Sequence, residues 1–343
     1  MEFFAGANTR FGFTSLFEEI FKSTERIFIL KGSSGCGKST FMKHIAREAA
    51  RKNKSFHLIR CSADPNSLDG VIIPSLNIAI ADGTAPHLMD VKYPCVRESL
   101  INMGSFWDEK ELLPYRNEII GLTDLKACHY KNAYRGISAA GNIDSLYEEV
   151  LLDCIDPKRL DNFAFKFAEK LFLSNGPQKR VFVSAFTGDG EKIAHIVKKA
   201  KTLYEVTGKA NRMFMSALYR IAVEKNFSAV VGCNWCDPKY IDTIYIPENE
   251  TIVTSLSEYP CEDFERKHLV STSRFIHSGR LNSIKNRLRG LEKLKSQILS
   301  DAQTELAQAK SVHDEIEEIY IPAMDFDRMD DFTERFTQSI FKS

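Results

Sequence analysis

The chain has 343 residues, 43% hydrophobic and 27% charged, and its 46 Lys and Arg are balanced by 46 Asp and Glu. That length suits two domains of ordinary size, each able to build its own core. The neutral balance argues against a polyanion-binding surface as the main business, so nucleic acid is not the expected partner. No apolar run reaches the length needed to cross a bilayer, and Met1-Glu2-Phe3-Phe4 is not the start of a signal peptide. A soluble cytoplasmic protein is therefore expected, with its eight cysteines reduced.

The first clear element is Arg26-Ile27-Phe28-Ile29-Leu30, a short apolar run suited to a buried parallel strand. Residues 32–40 then read Gly-Ser-Ser-Gly-Cys-Gly-Lys-Ser-Thr, a complete G-x-x-x-x-G-K-[ST] phosphate-binding loop. The stretch Phe41 to Ala50 is helix-forming, with Phe41, Ile45 and Ala49 on one stripe. Glycines at Gly32, Gly35 and Gly37 let the N–H groups of the loop turn towards phosphate oxygens, and the helix adds the positive end of its dipole. The residues expected to contact nucleotide are Gly32, Ser33, Ser34, Gly35, Cys36, Gly37, Lys38, Ser39 and Thr40. Lys38 would reach the β- and γ-phosphates, and the Ser39 hydroxyl would ligate Mg²⁺. Cys36 needs to supply only its backbone there, and its thiol is open to alkylation without being catalytic.

Further strands are expected at 56–60 and 76–81. Asp82 directly follows the second of these and is the candidate acid for magnesium, because a carboxylate at the end of a neighbouring parallel strand can hold the metal's water shell. Gly83-Thr84-Ala85-Pro86-His87 is a sharp turn at the same strand end, where His87 is a candidate proton acceptor, although a lone histidine is more often structural. Asp64 and Asp69 read as turn caps. A helix-rich segment is expected from Glu98 to Phe172, and Ser174-Asn175-Gly176-Pro177-Gln178-Lys179 is the best linker.

Beyond the linker the pattern recurs. Asp64-Pro65 through Leu68-Asp69 to Ile73-Pro74 returns as Asp237-Pro238 through Ile241-Asp242 to Ile246-Pro247 at an offset of 173, which also carries Phe41-Met42 onto Phe214-Met215. Phe4 to Thr9 matches Phe182 to Thr187, and Ile155-Asp156 with Arg159 matches Met324-Asp325 with Arg328. Ordered matches with slowly drifting offset point to a tandem duplication, with domains at 1–173 and 180–343. Strands are expected at 180–184, 227–231, 244–246 and 252–254. The second loop, Glu205 to Met213, places Asn211 opposite Lys38, Arg212 opposite Ser39 and Ser255 opposite Asp82, so lysine, hydroxyl and acid are lost together. One working site and one degenerate site follow; the second copy is read as burying apolar surface of the first, with Lys209 and Arg212 as cations lent to the first site the alternative.

Cys233-Asn234-Trp235-Cys236 lacks the second ligand pair that zinc needs and reads as ordinary cysteines. From Ser273 to Asp314, apolar residues at spacings of three and four predict a long amphipathic helix, one arm of a coiled hairpin. Its basic first part reads as a solvated face partly paired with the acidic stretch 314–335.

The segments Phe3 to Thr9, Glu25 to Gly32, Cys61 to Asp64 with Leu68 to Pro74, and Asp82 to His87 resemble a family of uncharacterised bacterial ATPase-like proteins with tandem phosphate-loop domains. That resemblance implies an α/β phosphate-loop fold and nucleotide binding. It also implies a loop in both copies, from which the second half of this chain departs. The leading expectation is a Mg²⁺-dependent ATPase whose helical arms engage a protein partner. A small-molecule or nucleotide kinase with a helical lid is one alternative, and a non-catalytic, nucleotide-gated scaffold is another.

Overall fold

In a computed structural model the described residues are 1–342 apart from 87, 88, 258, 261 and 262. The chain opens with β1 (Glu2–Phe4), a hairpin of β2 (Gly6–Thr9) and β3 (Gly12–Ser15), and the one-turn helix α1 (Phe17–Ile20). Next come β4 (Arg26–Lys31), α2 (Lys38–Arg51), β5 (His57–Arg60), β6 (Leu68–Ile73), β7 (Ile78–Asp82) and β8 (Glu98–Asn102). A short α3 (Glu109–Leu112) leads into α4 (Arg116–Leu152) and then α5 (Pro157–Leu171).

The succession then repeats. It runs through β9 (Gln178–Phe182), the hairpin β10 (Ser184–Thr187) and β11 (Gly190–Ile193), β12 (Lys199–Thr207) and α6 (Asn211–Glu224). It continues through β13 (Ala229–Cys233), β14 (Ile241–Ile246), β15 (Thr251–Thr254) and β16 (Asp263–Ser271), and closes with α7 (Ser278–Tyr320) and α8 (Phe326–Phe341).

Twelve strands form one mixed, mostly parallel sheet flanked by helices, in the order β16-β12-β15-β14-β13-β9-β1-β5-β6-β7-β4-β8. Its middle is an antiparallel contact between β1 and β9, with Phe4 opposite Phe182. Outward from there, both halves place their strands in the same order. Both also show the same pairing sense: parallel, antiparallel, antiparallel, parallel, parallel. Alternation along β4 sends Ile27 and Ile29 into one core and Phe28 and Leu30 into another. Side chains alternate across a strand, so these are the two faces of the sheet, and a continuous apolar run is what a strand covered on both sides requires.

The helices cross between halves. On α2, Phe41 packs against Phe332 and Phe336 of α8, while Phe214 of α6 packs against Phe163 and Phe167 of α5. Asp156 and Asp325 start α5 and α8 in the same way, each accepting the N–H of the residue three positions on, Arg159 and Arg328. Matching backbone bonds tie down the chain before each cap: Asp156 N–H to Phe275 O, and Asp325 N–H to Phe106 O, both at 2.8 Å.

Between these crossings α4 and α7 run side by side and antiparallel. His129 meets Glu305, and further along Lys295 meets Asp144. A Cβ on Gly136 would lie 2.9 Å from Ala302 Cβ, so small residues bring the two helices close. At 37 and 43 residues, they extend roughly 55 and 65 Å at the usual helical rise.

Several expectations are corrected here. The segment from Glu98 does not begin as helix: Glu98–Asn102 is an edge strand beside β4. Leu68–Ile73 is an internal strand, not merely a turn. The expected linker is partly strand, because β9 begins at Gln178. The long helix starts later and ends later than its spacing suggests, and its partner arm comes from the other half. Its basic face is largely solvated, as read, with Lys285, Arg287, Arg289 and Lys293 exposed, but the pairs it makes are with α4 and the residue after it, Lys295 to Asp144 and Arg280 to the Asp153 carbonyl, instead of with the acidic stretch. Among the described residues no helix is long and apolar enough to cross a membrane.

Candidate functional site

Strands β4 and β7 are parallel neighbours with Leu30 opposite Asp82, which brings the loop after β4 beside the end of β7. The loop turns through Gly35 and Gly37 at φ of +74° and +75°, a left-handed backbone that side chains resist, and enters α2 at Lys38. Lys38 Nζ donates to the carbonyls of Ser33 at 2.8 Å and Gly32 at 3.2 Å. It also stands 3.7 Å from Asp82 Oδ2, with the two side chains only 12% and 14% exposed. Asp82 Oδ1 accepts the Thr84 N–H at 2.7 Å, and the Thr84 hydroxyl donates to Gly32 O at 2.8 Å. Burial raises the Asp82 pKa, while Lys38 and the Thr84 contacts oppose it.

The sequence-derived residues divide accordingly. Gly32 to Lys38, Ser39 and Asp82 converge at the ends of β4 and β7. Ser39 Oγ accepts the Leu68 N–H at 3.1 Å, so it faces the start of β6. Thr40 is exposed in the first turn of α2. Cys36 is 1% exposed, donates to Ser33 O and has its pKa raised chiefly by burial. Its thiol is thus neutral and covered, which corrects the expectation of easy alkylation. His87 lies outside the described residues. Asp64 caps its turn, accepting from Asn66 N and Ser67 Oγ. Asp69 does not cap a turn but is buried within β6.

Nothing in the residue pattern points to the groups that α7 and α4 bring to this loop. Glu317 Oε1 accepts the Gly35 N–H at 3.1 Å, and His313 Nδ1 lies 3.2 Å from Ser34 Oγ. The Glu317 pKa is lowered, mainly by its contact with His313. Lys126 of α4 is half-buried here, with its pKa lowered by burial first; Glu317 and Lys38 are both near enough to act on its charge.

At the second loop the cations are already committed. Arg212 pairs with Glu148 at 2.7 Å and Asp144 at 3.5 Å, and Lys209 with Glu292 at 3.0 Å and Tyr147 OH at 2.9 Å. A cavity of about 370 Å³ lies over this loop, walled by these same charged side chains. Lys209 and Arg212 thus face the α4–α7 pair and not the first loop, which removes them as cations lent to it. Cys233 and Cys236 are buried, their pKa values pushed up to about 11 chiefly by burial. Among the described residues no group of three or more His, Cys, Asp or Glu could hold a metal by itself.

No family model, curated protein or solved structure matches the chain.

Proposed function

We propose that the chain is an ATP-binding phosphate-loop protein, acting as a Mg²⁺-dependent ATPase with one working site, at residues 32–40. The observation that carries this reading is the placement of Lys38 3.7 Å from Asp82 at the ends of two parallel neighbouring strands. A phosphate loop needs that juxtaposition: a cation for the β- and γ-phosphates, and a carboxylate one strand away for the metal. The left-handed glycines and the start of α2 at Lys38 supply the accompanying anion-binding backbone. Ser39 and Asp82 are two hard oxygen donors, and they fit Mg²⁺, which takes few protein ligands and fills its shell with phosphate and water. Bound there, the metal would offset charge developing on the phosphoryl oxygens.

The identical strand order in the two halves, the paired caps Asp156 and Asp325, and the matching hairpins after β1 and β9 support a tandem duplication of this domain. In the second copy Asn211 and Arg212 stand at the start of α6, and Arg212 is ion-paired with α4, so that loop is read as disabled. This is the arrangement implied by the resemblance to tandem phosphate-loop ATPase-like proteins, with one site lost.

Turnover by the full chain with each nucleoside triphosphate and Mg²⁺, with and without a metabolite panel, tests the reading. Free phosphate supports an ATPase, acceptor-dependent ADP a kinase, and binding without either a scaffold. Lys38→Ala should lose nucleotide binding or turnover with its thermal stability kept, and Asn211→Ala should lose neither. Equal loss in both variants would refute the one-site reading.

A further inference from the structure

The end of α7 rests directly on the glycine loop. Glu317 Oε1 accepts the Gly35 N–H at 3.1 Å, and a Cβ on Gly35 would lie 3.1 Å from Ile321 Cγ1 and 3.5 Å from the Glu317 carbonyl. His313, on the preceding turn of α7, has Nδ1 3.2 Å from Ser34 Oγ and Nε2 3.4 Å from Glu317 Oε1. The helix is held in this position by the strap that follows it. Asp108 N–H donates to Ala323 O and Asp325 N–H to Phe106 O, each at 2.8 Å, and the Trp107 and Tyr320 rings lie 4.9 Å apart.

The N–H groups of such a loop are donors for anions, and the group that Gly35 holds is a carboxylate. An ionised carboxylate and a phosphate oxygen both accept, both carry negative charge and cannot share one donor at close range. We propose that Glu317 is a built-in phosphate surrogate, competing with the nucleotide's phosphates for the loop, so that triphosphate binding requires the last turn of α7 to lift away. This rests on the nucleotide-binding reading of the loop and adds a regulation to it. A ligand that binds only the lifted state shifts the chain towards that state, and whatever holds α7 down weakens the ligand by the same factor. Because α7 lies along α4, a partner that grips this helix pair would set the affinity of the loop, and the occupied loop would in turn loosen the end of the pair.

The test uses the full chain, with ATP and Mg²⁺ as the probe and binding measured by calorimetry. Glu317→Ala should bind ATP on the order of tenfold or more tightly than wild type, the scale of a charge-assisted hydrogen bond lost from the competing state. Glu317→Gln keeps the volume, removes the charge and should gain part of that. In wild type, ATP should speed hydrogen exchange at the backbone amides of 313–320 at the end of α7. Unchanged affinity in Glu317→Ala, with Lys38→Ala still abolishing binding, would overturn the surrogate and leave the nucleotide reading standing. Weaker binding in Glu317→Ala would make the residue part of the nucleotide site and also overturn it. Absence of ATP binding in wild type and both Glu317 variants would remove the nucleotide reading and this inference together.

Discussion

The substitution Asp242→Asn should make the protein more stable at neutral pH and leave it unchanged in mild acid. Asp242 is buried within β14. Its carboxylate accepts from Asn234 Nδ2 at 2.9 Å, yet burial outweighs this bond and the charge of Arg212, raising its pKa from 3.8 to about 6. A carboxyl group that ionises at higher pH in the folded than in the unfolded chain favours folding while it is protonated. That contribution is complete below about pH 4 and is lost as pH rises through about 6. Each unit between the two states corresponds to about 1.36 kcal/mol, so the interval from 3.8 to about 6 amounts to roughly 3 kcal/mol above pH 7. The substituted amide would retain an oxygen for the Asn234 N–H without carrying a charge. Urea unfolding of both proteins at a series of pH values between about 4 and 8 reads the difference directly, since every other group titrates in both. The expected curve is a gap near zero in acid that opens to roughly 3 kcal/mol. A gap of the opposite sign at neutral pH, or one that persists unchanged into acid, would refute the reasoning.

Asp82→Asn should impair Mg²⁺-dependent turnover more than nucleotide binding, because the loop and Lys38 remain; steady-state kinetics beside calorimetry separate the two, and a wild-type rate would move the metal acid elsewhere. Residues 1–173 expressed alone should be insoluble or fail to unfold cooperatively, because the face of α2 bearing Phe41 loses its cover from Phe332 and Phe336. Co-expression with 174–343 should restore a soluble complex, and cooperative unfolding of 1–173 by itself would contradict the crossed packing.

The glycine-loop side of the candidate site is legible in the sequence because its parts are local. The run Ile27 to Leu30, the glycines, Lys38 and the acid after Ile78 to Ala81 each carry their own pattern, and only the pairing of β4 with β7 is left to infer. The edge strands β8 and β16 are not legible in this way. Glu98-Ser99-Leu100-Ile101-Asn102 is short and polar, and most of Asp263 to Ser271 is exposed, so neither shows the apolar run of a covered strand. Contacts between halves leave still less trace. Glu317 meets Gly35 across a separation of 282 residues, and Lys295 meets Asp144 across 151. Nothing in a heptad of α7 says which helix it lies against. Asp69 shows how a dipeptide misleads: Asp before Gly points to a turn cap, whereas Asp69, like its counterpart Asp242, lies within a covered strand, β6 or β14.

The seating of α8 on α2 also bears on how the protein is made. A chain leaving the ribosome presents its N-terminal half first, and such halves commonly fold as they emerge. Here Phe28 and Phe41 find Phe336 only after α8, in the second half, has been synthesised. Until then the first half exposes an aromatic face with nothing to cover it, and closing so long a segment carries an entropic cost that local contacts avoid. A nascent chain would therefore have to be kept from sticking to its neighbours until α8 is free. A stop codon after Asp325 would remove no residue of the glycine loop, yet it would uncover the helix on which that loop is built.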